Sequence, residues 1–284
     1  MKKTTKLTPK STTFAPGEHI RVVPLHHPKP EYSIDELGKE RKGREKEEHD
    51  LFDGKAHAAP ASAQLIYRGG ALIPNVKVFT IFWGTKWGTT KTSIKMMSDL
   101  NKFFAAILVS PAIDQLSEYS VPGQAIGHGS YLGTKLISAN APVGSTTDSA
   151  IQAQLKKWIK AGTVPKNDKN TLYFIYLDPG IISIMGGGRS CQNYCGYHNH
   201  TGKVYYAVMP YPTCNGCLGN HAAFSALTGT SSHELCEAIT DPVPGAGWYD
   251  DVNGEIGDIC AWNFKQVAGY NVQLEWSNAH NKCV

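Results

Sequence analysis

The chain has 284 residues, of which 41% are hydrophobic and 10% aromatic, so a large packed core can form. Its formal net charge of +4 is too small to indicate nucleic-acid binding. A transmembrane helix needs roughly 18 uninterrupted apolar residues, and no stretch of the sequence comes close. These properties argue against a nucleic-acid partner and a membrane span. For the oligomeric state, we favour a monomer.

Residues 1–62 differ in composition from the rest of the chain. The run ELGKERKGREKEEHD at 36–50 is dense in charges of both signs, and its flanks are rich in Pro, Thr and Ala. Low hydrophobicity with mixed charge is typical of segments that cannot bury a core. We therefore expect a charged, flexible N-terminal arm or propeptide over 1–62. The basic first residues are not followed by the apolar stretch of an ordinary signal peptide.

From residue 63 onward, hydrophobic periodicity predicts strands and helices in mixed order. The first long helix is expected to be capped by Thr92 or Ser93, and the next by Thr147 or Asp148. Strands are predicted at 77–85, 130–138, 171–180, 203–212 and 270–277, and helices at 92–110, 111–119, 146–163 and 222–242. Because the two types do not alternate strictly, we predict a single α+β domain over 63–284, with a mixed sheet and a loop-rich C-terminal part.

The last predicted helix contains SSHELCEAITDP at 231–242. Residues four apart lie on one face of a helix, so His233 and Glu237 can bind one ion. Glu234 lies beside this pair, where the helix of a zinc peptidase carries its general base. Zinc accepts a carboxylate oxygen in place of a second imidazole. The segment therefore predicts an active-site helix with His233 and Glu237 as zinc ligands and Glu234 as the catalytic base.

A catalytic zinc needs a third protein ligand. The segment GWYDDVNGEIGDICAW at 247–262 is rich in acids flanked by glycines, and Glu255 and Asp258 follow Glu237 by 18 and 21 residues. This spacing suits a third ligand of the zincin kind, and we favour Asp258, with Glu255 as the alternative. A site with more oxygen ligands also accepts harder ions, so calcium in addition to zinc stays open. Asp241 is expected to end the helix or to bond the loop after it.

Two histidines, His198 and His200, stand in CGYHNH at 195–200. On a strand, rings two residues apart point the same way, which also suits a metal ion, whereas in a loop the pair carries no such meaning. One of these histidines, or Tyr249, could instead stabilise an oxyanion or contact the substrate.

Seven cysteines all follow residue 190, and their clustering indicates local disulfides and an oxidising compartment. The odd number leaves one thiol unpaired. For the CxxC pair Cys214 and Cys217, a short-loop disulfide, a redox pair and half of a zinc knuckle are all open, and we favour the disulfide. The cysteines are Cys191, Cys195, Cys214, Cys217, Cys236, Cys260 and Cys283.

Several segments together resemble the EXORDIUM, or phosphate-induced, protein family and its bacterial zincin-like relatives. They occur in the order of that family and span roughly residues 65 to 284. The segments are YRGGALIPNVKVFTIFWG at 67–84, GGRSCQNYCGYHNH at 187–200, SSHELCEAITDP at 231–242, GWYDDVNGEIGDIC at 247–260 and WSNAHNKCV at 276–284.

The resemblance implies a zincin-like domain in which His233 and Glu237 are ligands and Glu234 is the base. It does not decide between Glu255 and Asp258. It further implies that Cys236 is the odd thiol. The implied disulfides are Cys191–Cys195, Cys214–Cys217 and Cys260–Cys283.

We hypothesise a zinc-dependent hydrolase, a secreted metallopeptidase acting on protein or peptide substrates, although no signal peptide is recognisable. The alternative is a non-enzymatic, metal-stabilised extracellular protein that binds the cell wall or carbohydrate. In that case an ion would lie among the acids between Glu237 and Asp258, including Asp241 and Asp251. The aromatic side chains of Trp248, Tyr249 and Trp262 would then face the partner.

Overall fold

A computed structural model describes residues 22–24 and 63–284. The arm expected over 1–62 therefore lies outside the described residues, apart from Val22–Pro24. The strands are β1 Val22–Pro24, β2 Ile66–Tyr67, β3 Lys77–Trp83, β4 Ser130–Ile137, β5 Ser145–Thr147, β6 Thr171–Leu177, β7 Ile182–Met185, β8 Gly188–Arg189, β9 Tyr194–Thr201, β10 Val204–Met209, β11 Trp248–Tyr249, β12 Phe264–Val267, β13 Tyr270–Gln273, β14 Trp276–Ser277 and β15 Lys282–Cys283. The helices are α1 Lys91–Ile107, α2 Pro111–Asp114, α3 Asp148–Lys160, α4 Asn215–Leu218 and α5 Ala223–Thr240, with 3-10 turns at Gln115–Tyr119 and Asp258–Cys260.

Local side-chain chemistry decides where the long helices begin. Thr90 caps α1: its hydroxyl accepts the backbone N–H of Ser93, and the Ser93 hydroxyl accepts the N–H of Thr90. The prediction of Thr92 or Ser93 as the cap was wrong, because this reciprocal pair starts the helix earlier. Thr147 caps α3, one of the two residues expected there. The last helix, α5, ends before Pro242, which disfavours helical geometry in the residue ahead of it.

Among the described residues, six strands form the main sheet in the order β1–β9–β10–β6–β3–β4. β10, β6, β3 and β4 run parallel, whereas β9 is antiparallel to β10 and β1 is antiparallel to β9. The α+β class with a mixed sheet is confirmed. The apolar pattern did not predict β9, because Cys, Gly, His and Asn interrupt its sequence YCGYHNHT.

The two faces of the main sheet bury separate cores. Phe82 and Phe174 share one core with side chains of α1 and α5, whereas Ile81 and Ile175 share the other with side chains of α3. Alternation along each strand produces this division. Because both faces are covered, β6 is buried along its whole length, as central parallel strands usually are.

Helix α5 is buried on every side from Ala226 to Thr240. It packs against β9, β10 and β13. Small side chains allow this close packing: a Cβ on Gly229 would lie 2.7 Å from the ring of Phe264, and the Ser231 hydroxyl is hydrogen-bonded to that of Tyr176 at 2.7 Å. An ordinary amphipathic helix would turn its acidic residues to solvent, so the buried acids of α5 need partners inside the protein.

The disulfide-linked cysteines lie in the C-terminal part, as the sequence indicates, but two of the implied pairings were wrong. The structure joins Cys191 to Cys214, with Cα atoms 5.7 Å apart, and Cys195 to Cys217, at 5.3 Å. Cys195 lies on β9, while the CxxC residues lie at α4, which packs beside that strand. Each sulfur therefore meets a partner on the neighbouring segment instead of one in its own short run.

The third implied pairing, Cys260–Cys283, is confirmed, and Cys236 is the buried free cysteine among the described residues. Cys260 closes the 3-10 turn Asp258–Cys260 and Cys283 ends β15, so this disulfide ties the turn to the end of the chain. No helix within 22–24 and 63–284 has both the length and the apolar character needed to cross a membrane.

Candidate metal centre

Helix α5 brings three ionisable side chains into the interior. His233, Glu234 and Glu237 are each 0% exposed. One helical turn separates His233 from Glu237, so the two side chains lie on the same face, and Nε2 of His233 is 2.8 Å from Oε1 of Glu237. The structure therefore brings the two side chains that were predicted as ligands into direct contact.

Both predicted downstream acids reach the same region. Asp258 approaches His233, with Oδ1 3.9 Å from Nε2, and its side chain is 6% exposed. Glu255 approaches His198 instead, with Oε1 3.5 Å from Nε2 of that ring, and is 0% exposed. The two acids are alternatives in sequence spacing but neighbours in space, each beside a different imidazole.

A glycine allows the segment with these acids to come so close. A Cβ on Gly257 would lie 2.9 Å from the ring of His233 and 3.0 Å from Oε1 of Glu237. The backbone N–H of Glu255 donates to Oδ2 of Asp258 at 3.1 Å, which fixes the acids relative to each other. The turn Asp258–Cys260 then follows directly.

His198 enters the cluster from β9. Its Nδ1 is 3.0 Å from Oε2 of Glu234 and 3.4 Å from Oε2 of Glu237, and its Nε2 is 3.2 Å from the backbone oxygen of Asp241. The ring is 1% exposed. Both of its nitrogens therefore face oxygen atoms, and His198 links Glu234 to the end of α5.

Gln273 on β13 holds the other side of His233. Its Nε2 is 2.8 Å from Nδ1 of His233 and donates to the backbone oxygen of Gly257 at 2.9 Å. With the amide in this orientation, Nδ1 of His233 accepts and the proton of the neutral ring is on Nε2, facing Glu237. A half-turn of the amide would present its oxygen to a proton on Nδ1 instead. Local sequence patterns do not reveal this contact, because it depends on a hairpin that packs against α5.

Two sets of three side chains have ligand atoms within 4.8 Å of one another in this cluster. One set is His233, Glu234 and Glu237, and the other is His198, Glu237 and Glu255. Glu237 belongs to both. A third such group within the described residues, Cys191, Cys214 and Cys217, consists of disulfide-bonded cysteines, so it offers no thiolate and the zinc-knuckle interpretation was wrong.

The cluster contains four carboxyl groups but only two imidazoles. Even if both imidazoles are charged, four ionised carboxylates leave two negative charges unbalanced in a site closed to water, which is unfavourable without a cation or added protons. Among the described residues, several of its atoms are buried without a hydrogen-bond partner. They are Nε2 of His233, Oε1 of Glu234, both carboxylate oxygens of Glu237 and of Glu255, and Oδ1 of Asp258.

The pKa shifts follow from this crowding. Burial opposes the ionised form of Glu237, but His233 and His198 together outweigh it and lower the pKa of Glu237 to about 2. Burial raises the pKa of Glu234, and raises those of Glu255 and Asp258 well above their usual range. Without a cation, one carboxylate is thus ionised and the others tend to hold protons.

The pKa values of the two imidazoles shift in the opposite direction from those of ordinary buried histidines. Burial alone lowers their pKa, but Glu255 and Glu234 raise the pKa of His198 well above its usual value, and Glu237 does the same for His233. Both rings therefore tend to be positively charged when only protons are available to balance the acids.

The remaining candidate residues have other described contacts. His200 lies at the end of β9, where Nδ1 is 3.3 Å from the oxygen of Gly202. Tyr249 is buried in β11 with the Arg68 guanidinium 4.6 Å from its ring centre. Asp241 accepts backbone N–H groups from the loop 245–247, as expected of a residue that ends the helix.

The acids before Glu255 serve the local loop. Asp250 accepts the backbone N–H groups of Gln64, Val252 and Asn253, and the exposed Asp251 pairs with Arg68. The described groups that could hold an ion include neither of them. In the alternative of an ion held among the acids between Glu237 and Asp258, Asp251 is thus not among the residues brought together.

Comparisons with known proteins leave the chain without a family. No protein-family model matches it, and no curated protein does either. Among solved structures, it is similar to the crystal structure of metalloproteinase-II from Bacteroides fragilis, with 14% identity and a TM-score of 0.36. The match covers 82% of this chain, which spans 58% of that one. A likeness this distant assigns neither fold nor activity.

Proposed function

We propose that the protein is a metal-dependent hydrolase, and more narrowly a zinc peptidase that acts on protein or peptide substrates. The observation that carries the proposal is the carboxylate of Glu237. It is fully buried between two imidazoles, with Nε2 of His233 2.8 Å from one oxygen and Nδ1 of His198 3.4 Å from the other, and neither oxygen makes a hydrogen bond of normal geometry. A carboxylate in that position is stabilised by a cation, and the excess of buried acid around it supports the same conclusion.

The donor set fits zinc better than calcium. Zinc is held by imidazole nitrogen and carboxylate oxygen, whereas calcium takes about six to eight oxygen ligands. His233, Glu237 and Asp258 would hold the ion, with Glu255 beside His198 as the alternative third acid. A bound zinc lowers the pKa of a ligated water and polarises a substrate carbonyl.

Glu234 is the group that we assign to proton transfer. Its Oε2 is held by His198, while Oε1 is buried and without a hydrogen-bond partner. Burial raises its pKa, which favours a base that accepts a proton near neutral pH and returns it to a leaving amine. Because both nitrogens of His198 already face oxygen atoms, we infer that this ring positions Glu234 and does not bind an oxyanion.

The complete burial of the cluster favours a second candidate function. A closed site with no side chain more than 6% exposed is also typical of a structural ion. The protein would then be a metal-stabilised extracellular binding protein. The free Oε1 of Glu234 favours the hydrolase, because a closed ion site has no use for a base beside its ligands.

We further propose that the protein is secreted. Three disulfides among the described residues fit an oxidising compartment. The resemblance to the EXORDIUM family and its zincin-like relatives supports the same location.

Metal analysis of the full chain combined with a peptide-library assay tests the proposal. We expect one zinc per chain and peptide hydrolysis that is lost in Glu234→Gln, while zinc content is kept. Asp251→Asn is the matched control, because this acid lies in the same region but is exposed and paired with Arg68. Zinc without hydrolysis would support the structural ion instead. A protein without zinc or hydrolysis would contradict both functions.

A further inference from the structure

The short strand β1 occupies the edge of the main sheet, beside the cluster of buried acids and histidines around Glu237. Val22 pairs with Tyr197, Val23 with Gly196 and Pro24 with Tyr194, in antiparallel register. Without β1, the outer side of β9 would be a free sheet edge. The pairing ends at the residue before His198, so this edge leads directly to the proposed site.

The same three residues also contact the elements that carry the other cluster residues. β1 lies against α5 and against the turn Asp258–Cys260, as well as against β9. An extended segment in this position therefore runs along the seam between the sheet, the helix with His233 and Glu237, and the turn with Asp258.

Val23 fills an apolar recess at this seam. It is 2% exposed and packs with Cys195 and Cys217, which are joined to each other, and partly buried Trp262 lies against the same cluster. The two disulfides hold β9 and α4 together and so form the walls of the recess. This geometry suits one small branched apolar side chain on an extended backbone.

We propose that the outer edge of β9 is a binding edge for extended peptides, and that Val22–Pro24 occupies it in the intact chain as an internal ligand. Backbone pairing provides the attachment and the Val23 recess provides selectivity, as in other cases of strand addition. The inference deepens the proposed function and rests on it, because it names the substrate as an extended peptide with a branched apolar residue placed at the recess.

Pro24 supports an exchangeable ligand over a permanent strand, because it has no N–H to donate to β9. The register also shifts between Val23 and Pro24. A longer peptide without a proline at this position can pair with more of β9 and compete with the internal segment.

Displacement of β1 in the full chain tests the proposal. The probe is a fluorescent peptide of sequence IRVVPL, which corresponds to residues 20–25, and its binding is followed by fluorescence anisotropy. In Val23→Asp we expect at least a tenfold lower apparent Kd than in the wild type, because the internal segment no longer competes. Val252→Asp is the control, since that valine is 81% exposed and outside the recess. A probe with Asp in place of the second valine should not bind.

Hydrogen exchange gives the second readout. Those amides of 194–197 that face β1 should lose protection in Val23→Asp and regain it when the probe is added. If Val23→Asp does not fold, the same measurements are made on Val23→Ala. Tighter probe binding with little change in Tm supports an internal ligand. A lower Tm without tighter probe binding, or unchanged protection of β9, overturns it.

The measurements separate this inference from the proposed function. All binding is measured in a Glu234→Gln background, so it needs no hydrolysis. If the probe binds but the wild type, which keeps Glu234, shows no peptidase activity, the proposed function alone is refuted. Peptidase activity without any response of the probe to Val23→Asp would refute the internal ligand alone.

Discussion

Nε2 of His233 lies 2.8 Å from Oε1 of Glu237, one helical turn further along α5, and neither side chain is exposed to solvent. This contact places a negative charge in the interior beside an imidazole, with two more acids within reach. It is the centre of the proposed zinc site, and the expected outcomes below follow from it.

Replacement of Glu237 should abolish metal binding. Glu237→Gln keeps the shape of the side chain but removes the charge that both imidazoles face. We expect zinc affinity to fall by more than about 100-fold, since even the loss of an outer hydrogen-bond partner of a ligand weakens binding about 10–100-fold. Competition with a chelator measures the change. Asp99→Asn, on the surface of α1, should leave affinity unchanged, and an equal loss in that control would point to a non-specific effect.

Gln273 should control which nitrogen of His233 is available. For Nε2 to bind a metal, the ring proton must be on Nδ1, where it needs an acceptor. Gln273→Met removes that acceptor at similar volume, and we expect zinc affinity about 10–100-fold weaker. Gln273→Glu provides a permanent acceptor and should bind zinc at least as tightly as the wild type. Equal affinities in all three proteins would remove Gln273 from the account.

Gly257 should be required for the close approach of the turn to α5. A Cβ there would lie 2.9 Å from the His233 ring, so Gly257→Ala must push the turn away from its ligand position. We expect a loss of about 1–3 kcal/mol in the free energy of unfolding, together with weaker zinc binding. Gly127→Ala is the control, because its Cβ would meet nothing nearer than 3.6 Å. Chemical denaturation and metal titration measure both effects.

The metal-free protein should become less stable as pH rises. The folded-state pKa values of Glu255 and Asp258 are raised, so stabilisation by their bound protons is complete below about pH 4, where the unfolded acids are also protonated, and is lost as pH rises towards the folded values. The raised pKa values of His198 and His233 act the same way above about pH 6.5.

Ionisation of Glu237 changes stability with pH in the opposite direction and over a different pH range. Its folded pKa of about 2 is below the unfolded value, so its stabilisation is present above about pH 4 and is lost as pH falls towards 2. Between pH 5 and 8 we therefore expect Tm to fall with rising pH in a chelator and to rise with pH when zinc is in excess, because zinc competes with the protons. Scanning calorimetry tests both slopes, and parallel slopes would contradict the account.

The helix that carries His233, Glu234 and Glu237 could be predicted from the sequence because helical geometry is local. The spacing of His233, Glu234 and Glu237 places them together on any α-helix, and turn chemistry indicated the acids near 255–258. The separate positions of Glu255 and Asp258 could not be predicted, since they depend on which imidazole each acid meets after the turn folds back onto α5.

Long-range contacts account for what the sequence did not reveal. β9 forms because it pairs with β10 and β1. Its composition, rich in His, Asn and Cys, does not identify it as a strand without these partners. The disulfide partners of Cys191 and Cys195 follow from the packing of α4 against β9, and sequence proximity is a poor guide to such packing. Gln273 reaches His233 through a hairpin about 40 residues downstream, which local periodicity cannot place.

Anomalous diffraction at the zinc absorption edge, from crystals of the full-length protein, tests the central claim most directly. We expect one strong peak within about 2.0–2.2 Å of Nε2 of His233 and a carboxylate oxygen of Glu237, with Asp258 or Glu255 completing the protein ligands. A crystal grown with excess zinc that shows no peak at this cluster, while both side chains stay buried in contact with each other, would contradict it.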